Sequence, residues 1–152
     1  MDLIAKYSSY RLGNIKIAVA VLLGISVWCV YDGYYNQKFI EKHTIAEGKA
    51  DDTLIFHRYF AYFGVPGAIA AAGAYMVLRK KQLTAGDDGL ILDNGDKILY
   101  KAIEELDHTD YDLDGKFKIT YICSGSEKAI FLTNKKWDGL DKVLECLISK
   151  IS

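Results

Sequence analysis

The sequence predicts a two-helix transmembrane hairpin joined to a small α+β domain, in which an antiparallel sheet or barrel is capped by a C-terminal amphipathic helix. Three observations carry this reading. Two long stretches lack charge, the hydrophobic period changes after Arg79-Lys80-Lys81, and the charges divide unevenly along the chain. The 152 residues carry 19 Lys+Arg and 20 Asp+Glu, a net charge of −1. Residues 1–81 hold 10 basic and 6 acidic side chains, +4, and residues 82–152 hold 9 and 14, −5. With 51% apolar and 26% charged residues, one Pro and three Cys, the chain is neither disordered, collagenous nor disulfide-rich. Its length excludes a large multidomain enzyme.

The first apolar stretch runs from Leu12 to Tyr35, and its centre, Ile17 to Tyr31, is fifteen residues without a charge. At about 1.5 Å per residue it covers a hydrocarbon core of about 30 Å, with Lys16 snorkelling outward. Tyr31, Tyr34 and Tyr35 close it as an interfacial aromatic cluster, with Asp32 outside the core. The helix is expected over 15–35, after a cytoplasmic tail 1–14. No small-x-small cleavage site follows the apolar run, and Trp28 precedes Cys29 where a lipoprotein signal needs a small residue. The segment therefore reads as a retained anchor.

A loop over 36–58 separates it from a second helix over 59–78, twenty uncharged residues between Arg58 and Arg79-Lys80-Lys81. The tight basic cluster places the end of this helix in the cytoplasm, so both termini are expected inside and the loop outside. The expected location is a bacterial inner or intracytoplasmic membrane. Nine of the twenty residues are Gly or Ala. Gly64, Ala68 and Ala72 recur every four residues, with Gly67 and Ala71 in an adjacent row. Small residues let backbones approach in lipid, where no hydrophobic force joins helices. This face fits packing on the first helix, on another membrane subunit, or on a second copy of the chain. Pro66 falls in the first two turns of the expected helix, where a missing N–H costs least.

Beyond Lys81 short runs appear between Gly, Asp and Asn: 82–85, 89–92, 97–100, 102–111, 116–123 and 128–133. Phe117, Ile119, Tyr121 and Cys123 alternate with polar residues, the period of a half-buried strand. Asn94-Gly95 and Ser124-Gly125-Ser126 are turn signals. Leu140, Val143, Leu144, Leu147, Ile148 and Ile151 then follow a helical period, with Asp138 as N-cap and Asp141 in the first turn. Strands followed by one amphipathic helix outline a pleckstrin-homology-like (PH-like) barrel over 82–152, with a five- or six-stranded sheet as the alternative.

Tyr31-Asp32-Gly33 after the first apolar segment, the run from Gly95 to Ile103, and Trp137-Asp138-Gly139-Leu140-Asp141 carry a resemblance. The chain resembles uncharacterised small membrane proteins of planctomycete-type bacteria and, more broadly, bacterial membrane-anchored PH-like domain proteins. The resemblance implies the fold and no active site.

Asp110-x-Asp112-x-Asp114-Gly115 matches the first half of an EF-hand calcium loop. Tyr121 occupies the twelfth position, where a bidentate Glu is needed, and Lys116 and Lys118 adjoin the carboxylates. The motif reads as a solvated acidic hairpin tip, with Asp110, Asp112 and Asp114 as calcium candidates. The connection Gly86-Asp87-Asp88-Gly89 would repel a phosphate, and a −5 domain disfavours lipid headgroups and nucleic acid. His43, with Glu47 four residues on, and His57 share the outer loop, while His108 lies in the domain. Without a cysteine or a His-x-x-x-His pair they read as polar loop residues rather than metal or haem ligands. Cys29, Cys123 and Cys146 read as reduced core residues. No catalytic set or cofactor motif stands out. The expected function is a non-catalytic integral membrane accessory or scaffold subunit. It would dock on other membrane protein subunits through its small-residue face and acidic domain, and the alternative is a membrane-anchored ligand or calcium sensor.

Overall fold

The computed structural model describes residues 2–45 and 48–151. Ala46 and Glu47 lie outside the described residues. The chain forms two compact units, Gly13–Met76 and, together, Met1–Leu12 with Val77–Ser152.

The helical unit holds most of α1 (Ser9–Val30) and α3 (Asp52–Leu78), with α2 (Gln37–Lys42) between them. Helix α1 runs on through a π-helical turn, Tyr31–Tyr35, closed by the Asn36 N–H donating to the Tyr31 carbonyl at 2.9 Å. Each long helix with its continuation has 27 residues, about 40 Å, and is long and apolar enough to cross a membrane. Only 11% of the most apolar stretch of each is buried, unlike the core helix of a soluble protein. The expected loop 36–58 is shorter than the sequence suggests, because α3 begins at Asp52. There the Asp51 carboxylate accepts the Leu54 N–H at 2.8 Å and caps the helix. Pro66 therefore sits in mid-helix rather than in the first two turns, and the Tyr62 carbonyl loses its usual donor.

The other unit is α+β. Strand β1 (Leu3–Tyr7) lies where the sequence suggested only a tail. It pairs antiparallel with β2 (Gln82–Ala85), Leu3 opposite Ala85 and Lys6 opposite Gln82. Strands β3 (Gly89–Ile91) and β4 (Lys97–Leu99) follow β2, and β8 (Trp137–Asp138) borders β1. The order is β4-β3-β2-β1-β8. Strands β5 (Ile103–Asp107), β6 (Lys116–Cys123) and β7 (Ser126–Thr133) form a second antiparallel sheet in that order. Both sheets are open, so the PH-like barrel is not formed. Nor does Gly86–Gly89 join the first two strands, since the whole helical hairpin lies between β1 and β2.

Helix α5 (Leu140–Ile151) closes the core with Leu140, Val143, Leu144 and Leu147, each burial contributing about 1.5–3 kcal/mol. Ile148 and Ile151 sit at the margin of that stripe. Ala5, Leu83, Leu90, Phe117, Ile119 and Trp137 face them in one cluster. Asp138 does not cap α5. Its carboxylate accepts the Ser9 N–H at 2.8 Å and so serves the start of α1, while Gly139, at φ 80°, turns the chain into α5. The Ser9 N–H holds the Asp138 carboxyl below its usual range. Asp93, in the β3–β4 turn, is pushed up by burial. Lys81 at 3.0 Å and Lys136 at 3.6 Å outweigh that and hold it low. Two groups with depressed folded-state pKa stabilise the fold above the ordinary carboxylate pKa, and that stability is lost as pH falls through the folded values. The chain should melt lower at about pH 3 than at about pH 6, and Asp93→Asn should flatten that slope in thermal scans.

The β6–β7 hairpin turns on two residues in the left-handed region, Ser124 at φ 54° and Gly125 at φ 78°. Ser124 is the one non-glycine with positive φ among the described residues. Asn tolerates that region better, so Ser124→Asn should add about 0.5–1 kcal/mol, read as a higher midpoint in thermal unfolding.

Candidate functional site

The helical unit is built around the seam where α3 meets α1. Gly64 is buried, and a Cβ there would collide with the Ser26 Oγ and the Phe60 ring. Ser26 is itself buried, its hydroxyl donating to the Leu22 carbonyl at 2.7 Å, as a hydroxyl shut away from water requires. A Cβ on Gly67 would lie 3.7 Å from Leu22, and Ala68 is 2% exposed. Ala71 is half-buried, and Ala72 lines a crevice with Lys16, Val19 and Tyr75. The small-residue face thus meets the first helix of its own chain, and the faces away from the seam carry the exposed side chains. Gly64→Ala should destabilise the chain in detergent by about 1–3 kcal/mol, with Ser26→Ala recovering part of the loss. Additive losses in a double-mutant cycle of melting midpoints would refute this contact.

At the Asp32 end of the seam the structure gathers polar groups that sequence reasoning left dispersed. Asp32, expected outside the core, is 6% exposed inside the π turn and accepts from the Asn36 amide at 2.8 Å. The π turn approaches α3 so closely that a Cβ on Gly33 would lie 3.2 Å from the Arg58 nitrogen. Arg58 Nε donates to the Gly33 carbonyl at 3.1 Å. His57, 9% exposed, has Nδ1 at 2.8 Å from the Thr53 carbonyl, which fixes the proton on Nδ1 and leaves Nε2 as the free position. Its ring is edged by Trp28 at 5.9 Å and Phe56 at 5.8 Å, and Phe39 stands 4.6 Å away. Phe39 also lies 4.4 Å from His43, whose Nδ1 is 2.7 Å from the Asp51 carboxylate. The Leu54 N–H first, and His43 after it, hold the Asp51 carboxyl below its usual range. The two imidazoles and the buried carboxylate are each pinned by bonds that also build the helix ends. The available signals were Asp32-x-x-x-Asn36 on one turn, and the aromatic residues at 28, 39 and 56.

The remaining predicted residues do not assemble. Asp110 precedes a single helical turn, α4 (Tyr111–Asp114), that Gly115 ends at φ 64°. Lys116 Nζ lies 2.8 Å from Asp114 and 3.5 Å from Asp110, so an ammonium sits beside two of the three calcium candidates, and Asp112 is exposed. No group of three or more His, Cys, Asp or Glu able to hold a metal ion occurs among the described residues. His108 is exposed, with Nδ1 3.4 Å from the Leu106 carbonyl. The three cysteines are free, Cys29 buried and Cys146 3.9 Å from the Tyr100 hydroxyl.

In the α+β unit, β7 forms a free edge of its sheet, and Phe131 on it is 71% exposed. Leu113, in α4, is 88% exposed and Ile122, on β6, 45%. An edge strand of eight residues with exposed apolar side chains is a template for another strand. No protein-family profile matches this chain, and neither curated proteins nor solved structures gave a significant match.

Proposed function

We propose that the chain is a two-pass, non-catalytic membrane accessory or scaffold subunit whose α+β unit docks a neighbouring protein. Two apolar helices whose outward faces are exposed support insertion in a bilayer. Strand β1 lies before the first helix and pairs with β2 after the second, and paired strands must occupy the same side of a membrane. The basic cluster Arg79-Lys80-Lys81 supports reading that side as the cytoplasm, and the membrane as a bacterial inner one is part of the proposal.

The observation that carries the docking reading is the free β7 edge with its exposed Phe131. The small-residue face, engaged with α1, leaves this edge as the better docking element. Its occupant is an extended segment of another membrane subunit, hydrogen-bonded to β7 and covering Phe131. A calcium-sensing role has less support, because Lys116 already supplies counter-charge to Asp110 and Asp114.

Extraction of the full chain in mild detergent, followed by native mass measurement, tests this. A defined heavier complex is expected for the wild type, and Phe131→Glu should lose it while the chain stays in the membrane fraction. A wild-type species of 17.0 kDa alone, or a complex indifferent to Phe131→Glu, would overturn the docking role.

A further inference from the structure

Lys16 is a charge placed inside an apolar helix, eight residues into the 27-residue stretch Ser9–Tyr35. None of the ion pairs among the described residues includes it. Its ammonium stands 5.2 Å from the centre of the Tyr75 ring, and the two side chains, with Val19 and Ala72, line a crevice of about 180 Å³ between the helices. A cation at that depth needs either water or an anion, since the aromatic face alone neutralises little of it.

The crevice also has a continuation. On α1, Lys16, Val19, Leu23, Val27 and Val30 follow one another at spacings of three and four, which place them on one flank of the helix. On α3, Ala61, Val65, Ala72 and Tyr75, at spacings of four, seven and three, likewise share one flank. A second crevice, about 190 Å³, opens between Leu23, Val27 and Val30 on one side and Ala61 and Val65 on the other. Apart from the Ser26 hydroxyl, already bonded within its helix, its walls are aliphatic. One flank of the hairpin thus runs from a cationic head to an apolar trough. From Lys16 to Val30 it spans about 21 Å, enough for one acyl chain.

We propose that this flank binds an anionic phospholipid, its phosphate at Lys16 and Tyr75 and one acyl chain along the trough toward Val30. The proposal rests on the membrane-spanning reading above. Basic pockets between membrane helices on the cytoplasmic side suit anionic headgroups, and the end carrying Lys16 is the cytoplasmic one in that reading. A free phosphate would leave the trough empty, so the lipid is the occupant that uses both halves.

The test is native mass spectrometry of the full chain in detergent, titrated with phosphatidylglycerol and, in parallel, with phosphatidylcholine. The wild type should retain one phosphatidylglycerol with about five-fold preference, the scale expected for one lysine at an anionic headgroup. Lys16→Gln should abolish the preference and Lys16→Arg should keep it. Val27→Trp, which fills the trough, should weaken both lipids. Inorganic phosphate should not compete. Equal retention of the two lipids by the wild type, a preference unchanged in Lys16→Gln, or displacement by inorganic phosphate would overturn the proposal. Alkaline carbonate washing of membranes separates this failure from the larger one. Release of the chain would sink the membrane reading, whereas retention without lipid preference would sink the lipid site alone.

Discussion

The pairing of β1 with β2 is the constraint on which the architecture depends. The chain leaves the first sheet at Tyr7 and re-enters it at Gln82, yet those two strands are neighbours in it. The helical hairpin is therefore an insertion between adjacent strands rather than an anchor fused ahead of a domain. The strands that flank it, β1 and β2, lie one strand spacing apart, roughly 5 Å, so the chain must return to where it left the sheet. The same pairing puts Ala5 in the core, places β8 beside β1, and brings the Asp138 carboxylate to the first N–H of α1. Losing β1 would cost the sheet an interior strand and the link to β8, whose Asp138 caps α1.

Much of this was legible in the residues, and the misses have identifiable causes. The strands from β2 to β7 stand out because turn residues punctuate them, and α5 because its four core residues repeat with helical period. Strand β1 gave only a weak signal, because the apolar Ile4 breaks the alternation of Leu3, Ala5 and Tyr7 with Lys6. Five residues before a long apolar stretch are easily read as its flank, and nothing local states that their partners lie beyond the second helix. Asp138 was recognised as a cap, but to the wrong helix, because a side chain's nearest N–H in sequence is not its nearest in space. Gly89 shows a similar limit. A Cβ there would collide with the Ile98 carbonyl, a requirement set by the neighbouring strand.

The seam explains why the polar end was harder to foresee than the small-residue face. Gly64, Gly67 and Ala68 announce close approach by their spacing, since small side chains have one dominant use between apolar helices. Asp32, His43, Asp51 and His57 have many uses, and their roles emerge only once the π turn brings Gly33 against Arg58. Each then bonds to a backbone or side-chain group at a helix end, as polar groups must where water is partly excluded. The cluster is legible as chemistry only after it is legible as capping.

The charge balance shows most clearly what the topology changes. Cut at Lys81, the sequence divides into +4 and −5. Divided where the structure divides it, Gly13–Met76 carries 5 basic and 5 acidic side chains, and the α+β unit carries 14 and 15. The basic residues of the N-terminal segment and of Arg79-Lys80-Lys81 belong to the same unit as the acidic strands, and Lys81 pairs with Asp93 inside it. The unit is nearly neutral, so its net charge neither repels an anionic membrane nor selects a basic partner. What discriminates is local: a single lysine in the apolar reach of α1, and a single phenylalanine on an open strand edge. Both proposed contacts therefore rest on individual side chains set against apolar surfaces, because each unit is nearly neutral and offers little long-range field.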